Sequence, residues 1–141
     1  MDPVYTTTVK VSGGRAGRAR SEDGVLDLEL SVPKGLGGGG GSGTNPEQLF
    51  AAGYAACFES SLRAVASQKK ISISDSSITA TVGIGPIASG GFGLSVVLDV
   101  FLDGPDKSQA QELVDIAHGT MCPYSNAVRG NVGVKVNVST A

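Results

Sequence analysis

The sequence predicts an α+β fold, with antiparallel strands packed around a long, central, buried helix in a single domain over residues 1–141. Strand-like segments come in pairs joined by glycine-rich turns, and residues 49–58 form a helix-like stretch without a single charge. Two further helical segments precede a closing strand. Strand pairs joined by tight turns are typical of antiparallel sheets, and this order of elements indicates the α+β class. A chain of 141 residues, 40% of them hydrophobic, can bury one core.

The N-terminal third contains two predicted strands and two glycine-rich segments. Residues 4–11, VYTTTVKV, are β-branched and alternate, and GVLDLELSV at 24–32 places Leu26, Leu28 and Leu30 on one face of a half-buried strand. Residues 12–24 between them predict a loop, or a strand pair bent at its glycines. Residues 33–43 include five consecutive glycines and predict a mobile loop.

A long helix is predicted to begin at TNPEQLF. Asn45 or Thr44 is suited to cap it, Pro46 to its first turn, and Glu47 to the exposed amides there. Because the helix then has apolar residues on every side as far as Phe58, we expect it to be buried on more than one face.

The C-terminal half predicts a hairpin, two helices and a strand. Residues 76–85 and 92–102 are the hairpin strands, and the second alternates less cleanly, which favours a central position. A helix opening at Pro105 carries an apolar stripe, and a short helix with Pro123 just inside its start precedes a strand at 132–138. The stripe consists of Ala110, Leu113, Val114 and Ala117.

Composition excludes several classes of function. The net charge is −2 and no run of basic residues could follow a phosphate backbone, so we expect no nucleic-acid partner. No apolar stretch approaches the ~18 residues that suggest a membrane span, and the N-terminus does not resemble a signal peptide. We therefore expect a cytoplasmic protein without membrane contact. In that compartment thiols stay reduced, which favours catalytic or redox-active cysteines over a permanent crosslink.

The two cysteines, Cys57 and Cys122, leave several interpretations open. A zinc site normally needs four ligands, and the chain offers only these two and His118, so we expect no metal. Cys57 lies among alanines in the middle of a helix and fits a buried core thiol. Cys122 opens a helix, where exposed amides stabilise a thiolate. On composition alone, a redox pair and two buried thiols fit equally.

Three segments resemble the organic hydroperoxide resistance proteins, the Ohr branch of the Ohr/OsmC superfamily. They are GGRAGRARSEDGVLDLEL, TNPEQLFAAGYAACF and CPYSNAVRGN, and the resemblance covers essentially the whole chain. It implies an OsmC/Ohr-like intertwined homodimer and a thiol peroxidase with no bound cofactor. The implied substrates are alkyl and fatty-acid hydroperoxides in preference to hydrogen peroxide.

The resemblance also implies the roles of four residues. Cys57 is the peroxidatic thiolate, and Cys122 resolves its sulfenic acid to an intramolecular disulfide. A dithiol such as dihydrolipoamide or a lipoylated protein then reduces the disulfide. Arg15 stabilises the thiolate and binds peroxide, and Glu47 holds the guanidinium in a bidentate pair. The alternatives are a solvated loop arginine and a plain helix-start carboxylate.

Helix geometry and nearby apolar residues refine this hypothesis. Glu47 and Cys57 lie ~15 Å apart along an unbroken helix. An arginine must therefore span part of the gap, or a second subunit must supply one partner, which favours sites near a dimer interface. Several apolar residues close to the cysteines in sequence form either a substrate pocket or plain core, with Tyr124 the strongest pocket candidate. These residues are Leu49, Phe50, Phe58, Met121 and Tyr124.

Two rival functions remain open at this point. An OsmC-type peroxidase shares the cysteine pair but uses peroxides more broadly. A redox-sensing or ligand-binding module without turnover needs the same reactive thiol. His118 is either a proton-transfer group or a surface residue that complements a helix dipole.

Overall fold

The computed structural model describes all 141 residues and confirms the α+β class. The chain divides into two compact units, Met1–Leu49 and Phe50–Ala141, and each contains one three-stranded sheet. The single domain over 1–141 stays a prediction. None of the helices has the length and apolar character needed to cross a membrane.

The first unit contains an antiparallel sheet of short strands. β1 (Val9–Ser12) pairs with β2 (Arg18–Ser21), which pairs with β3 (Asp27–Glu29). β2 lies in the segment predicted as a loop or a bent strand pair, and its buried Ala19 and Ser21 alternate with exposed arginines.

Two strand predictions in this unit were too long. The strand predicted at 4–11 begins only at Val9, where its pairing with β2 starts opposite Ser21. The strand predicted at 24–32 shrinks to β3. Leu30 is buried as expected, but Leu28 is 38% exposed, so the half-buried face is not continuous.

The long helix α1 spans Pro46–Lys69 and begins as predicted. Asn45 caps it, since its Oδ1 accepts a hydrogen bond from the backbone N–H of Gln48 at 2.9 Å. Ala52 and Ala56 are exposed in the single chain, so burial of α1 on more than one face stays a prediction. One face is buried, formed by Tyr54, Phe58, Ser61, Leu62, Val65 and Ala66.

The second unit contains the larger sheet, of order β4-β5-β6. β4 (Asp75–Pro86) and β5 (Phe92–Asp103) form the predicted hairpin, and β5 is central as expected. The closing strand β6 (Gly133–Thr140) pairs parallel to β5, so the larger sheet is mixed, whereas antiparallel pairing was expected. Helices connect β5 to β6, and such a crossover returns the chain in the same direction.

That crossover contains two helices joined by an irregular turn. α2 (Lys107–Ile116) begins after Asp106, which forms a capping box with Gln109, so it starts slightly later than the predicted Pro105. All four residues of its predicted apolar stripe are buried. A π-helical turn, Ala117–Met121, leads to α3 (Pro123–Val128).

Candidate active site

The fold brings the two cysteines together. Cys57 lies in α1 and is partly exposed, whereas Cys122 is the N-cap residue of α3 and is fully buried. Both are free thiols, and they lie close enough for Cys122 to raise the pKa of Cys57. Neighbouring cysteines can form a disulfide when their Cα atoms come within about 4.4–6.8 Å of each other.

The surroundings of Cys57 favour the neutral thiol. Burial raises the pKa of the Cys57 thiol, and the neighbouring Cys122 raises this pKa further. The backbone N–H of Tyr124 opposes both effects by donating a hydrogen bond to the Cys57 sulfur. This N–H lies in the first turn of α3, so it has no partner within that helix. Within this unit, burial raises the pKa of Cys57 more than the hydrogen bond from the Tyr124 N–H lowers it.

Arg15 and Glu47 form a bidentate ion pair in the first unit. Arg15 Nη1 donates to Glu47 Oε2 at 2.8 Å, and Nη2 donates to Oε1 at 2.6 Å. The Glu47 side chain is 14% exposed, whereas the Arg15 side chain is 38% exposed and reaches solvent. Hydrogen bonds from Arg15 lower the pKa of Glu47, and the same bonds raise the pKa of Arg15. The pairing expected for these two residues is therefore present, and both groups are charged at neutral pH.

A tight glycine turn carries Arg15. The 3-10 turn Gly14–Ala16 connects β1 to β2, and Gly13 before it has φ +79°. A Cβ at Gly17 would collide with the carbonyl oxygen of Ser12. The glycines of GGRAG thus let the chain reverse within a few residues, with Arg15 at the tip.

The predicted pocket residues divide into an aromatic cluster and core. Phe50 and Tyr124 pack edge to face with ring centroids 6.2 Å apart, and Tyr124 is 38% exposed. Gly53 permits this packing, since a Cβ there would lie 2.8 Å from the Tyr124 hydroxyl. Phe58 is fully buried, so it belongs to the core and lines no open surface in this chain. Met121 is half-buried against that core.

Leu49 lies in the first unit. It is half-buried and follows the turn of α1 that carries Glu47.

A buried hydrogen-bond chain beside the cysteines escaped sequence analysis. The hydroxyls of Tyr54 and Ser125 are hydrogen-bonded at 2.8 Å, and His118 Nδ1 lies 2.9 Å from the same Ser125 oxygen. Tyr54 and Ser125 are fully buried. Their spacing was the available signal: Tyr54 precedes Cys57 by one helical turn, and Ser125 follows Cys122 by one.

His118 is half-buried, so it is not the surface residue that complements a helix dipole. Its ring packs against Phe58 with centroids 6.3 Å apart. Burial lowers the pKa of His118, the positive charge of Arg129 lowers it further, and Asp115 partly opposes them. The imidazole is therefore mainly neutral at pH 7.

Comparison with known proteins gives a consistent result. Residues 38–137 match the family model described as OsmC-like protein. The chain is 53% identical over 137 residues to an organic hydroperoxide resistance protein of Xanthomonas axonopodis pv. citri, covering 96% of this chain and 95% of that one. It is 48% identical over 136 residues to the organic hydroperoxide resistance protein OhrB of Bacillus subtilis, covering 96% and 98%.

A solved structure has the same fold. A crystal structure of an organic hydroperoxide resistance protein from Legionella pneumophila superposes with a TM-score of 0.93 at 51% identity, covering 98% of this chain and 99% of that one.

Proposed function

Because this chain belongs to the OsmC-like family, and within it to the organic hydroperoxide resistance proteins, we propose that it is a thiol peroxidase that reduces organic hydroperoxides to alcohols. One observation supports this mechanism most strongly: a partly exposed thiol, Cys57, has a second, buried thiol, Cys122, as a close neighbour. A peroxide can approach the first thiol from solvent, and we propose that the second closes the disulfide.

The first step is attack of the Cys57 thiolate on the distal oxygen of ROOH. The sulfur–oxygen bond forms, the O–O bond breaks, and the alkoxide leaves as the alcohol after taking up a proton. Cys57 is left as a sulfenic acid. Partial exposure suits Cys57 to this step, whereas the fully buried Cys122 has no surface open to a peroxide.

The attack needs a cation, because burial raises the pKa of Cys57. We assign this role to Arg15, whose guanidinium stabilises the thiolate and donates hydrogen bonds to the peroxide. Glu47 fixes the guanidinium plane through two hydrogen bonds, which leaves the remaining N–H groups free for these contacts. The Tyr124 N–H supports the same thiolate.

The second step closes the disulfide. The Cys122 sulfur attacks the Cys57 sulfenic acid, and the hydroxyl leaves with the Cys122 proton as water. A dithiol then reduces the disulfide by exchange and is itself oxidised, so the electrons delivered to the peroxide come from that dithiol. We propose dihydrolipoamide or a lipoylated protein as this reductant.

The aromatic cluster supports a preference for organic peroxides. Phe50 is half-buried and Tyr124 is partly exposed, next to the amide that contacts Cys57. Such an apolar surface binds the alkyl part of ROOH and gives hydrogen peroxide no comparable contact. Met121 extends the proposed pocket, and a pocket role for Leu49 stays a prediction. Phe58 supports the cluster from the core.

Turnover with two peroxides tests the proposal. We expect the protein to consume cumene hydroperoxide in the presence of dihydrolipoamide, and to consume hydrogen peroxide more slowly. Cys57→Ala should abolish consumption, and Ser139→Ala, on the distant strand β6, should not change it. Comparable rates on both peroxides would favour an OsmC-type enzyme. A single turnover despite excess dithiol would identify a redox sensor.

A further inference from the structure

We propose that Tyr54, Ser125 and His118 form a buried hydrogen-bonded clamp that positions Cys122 against Cys57 and sets the rate of disulfide closure. The inference rests on the proposed function, since closure is its second step. It assigns three positioning residues, none of which needs to touch the peroxide.

The clamp joins the two helices that carry the thiols. Tyr54 precedes Cys57 by one turn of α1, and Ser125 follows Cys122 by one turn of α3. Residues three apart lie on the same face of a helix. The 2.8 Å hydrogen bond between the two hydroxyls therefore links α1 to α3 on the faces where the sulfurs meet. Any change in the distance between these helices strains this hydrogen bond and also changes the distance between the two sulfurs.

His118 completes the clamp from a third segment. It lies in the π-helical turn that leads into α3, and its Nδ1 is 2.9 Å from Ser125 Oγ. Arg129 ties the end of α3 back to that turn by donating to the carbonyl oxygen of His118 at 2.7 Å. The fully buried Ser125 hydroxyl thus serves two partners, and loss of Ser125 itself removes both hydrogen bonds and leaves the buried Tyr54 hydroxyl without its partner.

Closure of the disulfide is the step most sensitive to this clamp. An S–S bond requires the sulfurs at about 2.05 Å and the Cα atoms about 4.4–6.8 Å apart. Cys122 is fully buried and held at the N-cap of α3, so it reaches the Cys57 sulfenic acid only if α1 and α3 keep their spacing. The attack on peroxide involves Cys57, Arg15 and the Tyr124 N–H, but not the Cys122 sulfur, so it does not require the two sulfurs to come within bonding distance. The clamp therefore affects the second step much more than the first.

Rapid-quench intact mass separates the two steps. Reduced protein receives one equivalent of cumene hydroperoxide, and the species about 16 Da heavier (sulfenic acid) and about 2 Da lighter (disulfide) are followed in time. In Tyr54→Phe and Ser125→Ala we expect an unchanged rate of oxygen gain and disulfide closure slowed about tenfold, the effect of losing one hydrogen bond. The double variant should be no slower than the slower single variant, because both remove the same bond.

The His118 variants add a readout that a general loss of packing would not give. His118→Leu should slow closure, and His118→Asn should restore it, because the Asn amide can replace Nδ1 as the partner of Ser125. Ser139→Ala is the control: it removes the hydroxyl of an exposed serine on β6 that donates to the Val100 carbonyl oxygen, and should change neither rate.

The outcomes separate this inference from the proposed function. Closure at the parent rate in Ser125→Ala would overturn the clamp, and so would equal slowing of both steps. Ser125→Ala carries the test by itself if Tyr54→Phe does not fold. A parent protein that forms neither species would overturn the proposed function and the clamp with it.

Discussion

At the residue scale, the main question is how Cys57 becomes a thiolate. Burial raises the pKa of this thiol, and the Tyr124 amide only partly compensates. The proposed mechanism therefore needs a cation, and we assign that role to Arg15, whose guanidinium Glu47 holds through two hydrogen bonds. The carboxylate orients the planar guanidinium, and the N–H groups that Glu47 does not use remain available to the thiolate.

Replacing Arg15 should therefore shift the ionisation of Cys57. In a Cys122→Ser background, the midpoint of the pH profile for iodoacetamide alkylation should rise by about one pH unit or more in Arg15→Ala, because a nearby opposite charge lowers a pKa by about 1–3 units. Arg15→Lys should give a smaller rise, since it keeps the charge without the bidentate geometry. Arg20→Ala, with its exposed side chain, should leave the midpoint unchanged. An unchanged midpoint in Arg15→Ala would remove Arg15 from the site.

Glu47 should make stability depend on pH in acid. Hydrogen bonds from Arg15 lower its pKa below the ordinary value of 4.5, so its contribution is complete above that value and is lost as the pH falls through the lowered pKa. The free energy of unfolding, measured in urea from about pH 6 to about pH 3, should fall less steeply in Glu47→Gln than in the parent. The exposed Glu22→Gln is the control. Parallel curves for parent and Glu47→Gln would contradict the pairing.

Sequence alone predicted the pairing of Arg15 with Glu47, which the structure contains, and roles for both cysteines, which stay a proposal, because all four lie in long segments that resemble one family. It did not identify the chain through Tyr54, Ser125 and His118. Tyrosine and serine are common in cores and helices, and only the packing of α1 against α3 reveals that these hydroxyls meet.

At the element scale, local patterns predicted the helices better than the sheets. The capping residue Asn45 and the apolar stripe of α2 could be predicted from the sequence, since both depend on residues close in sequence. The parallel pairing of β6 could not, because pairing direction depends on the path of the crossover and not on the strand's own residues. The short strand β2 was not predicted as a separate strand, because glycines precede it and two of its four residues are arginines.

The turn between β1 and β2 should tolerate no side chain at Gly17. A Cβ there would collide with the Ser12 carbonyl, so Gly17→Ala must open the turn and displace Arg15. We expect a loss of about 1–3 kcal/mol in the free energy of unfolding, together with reduced peroxidase turnover. Gly35→Ala, where nothing lies within 4 Å of the added Cβ, is the matched control. Full stability and turnover in Gly17→Ala would show that the turn does not position Arg15.

At the scale of the whole molecule, the exposed surface of α1 supports the proposed homodimer. Ala52, Ala56 and Ala64 are exposed on a helix whose other face is core. Small side chains allow a second backbone to approach closely, and a second copy would bury this surface.

Sedimentation velocity should show a dimer at micromolar concentration. Because the sites are proposed to lie near the interface, dilution into the monomeric range should reduce turnover per chain. A monomer that is fully active at micromolar concentration would contradict the homodimer.

Intact mass with free-thiol counting tests the central claim, that Cys57 and Cys122 are a reactive pair. Reduced parent protein treated with one equivalent of cumene hydroperoxide should lose both thiols and about 2 Da, as disulfide formation removes two hydrogens. Cys122→Ser should retain an oxidised Cys57, and Cys57→Ser should not react. If the parent instead keeps both thiols, the two cysteines are core residues and the proposed mechanism is wrong.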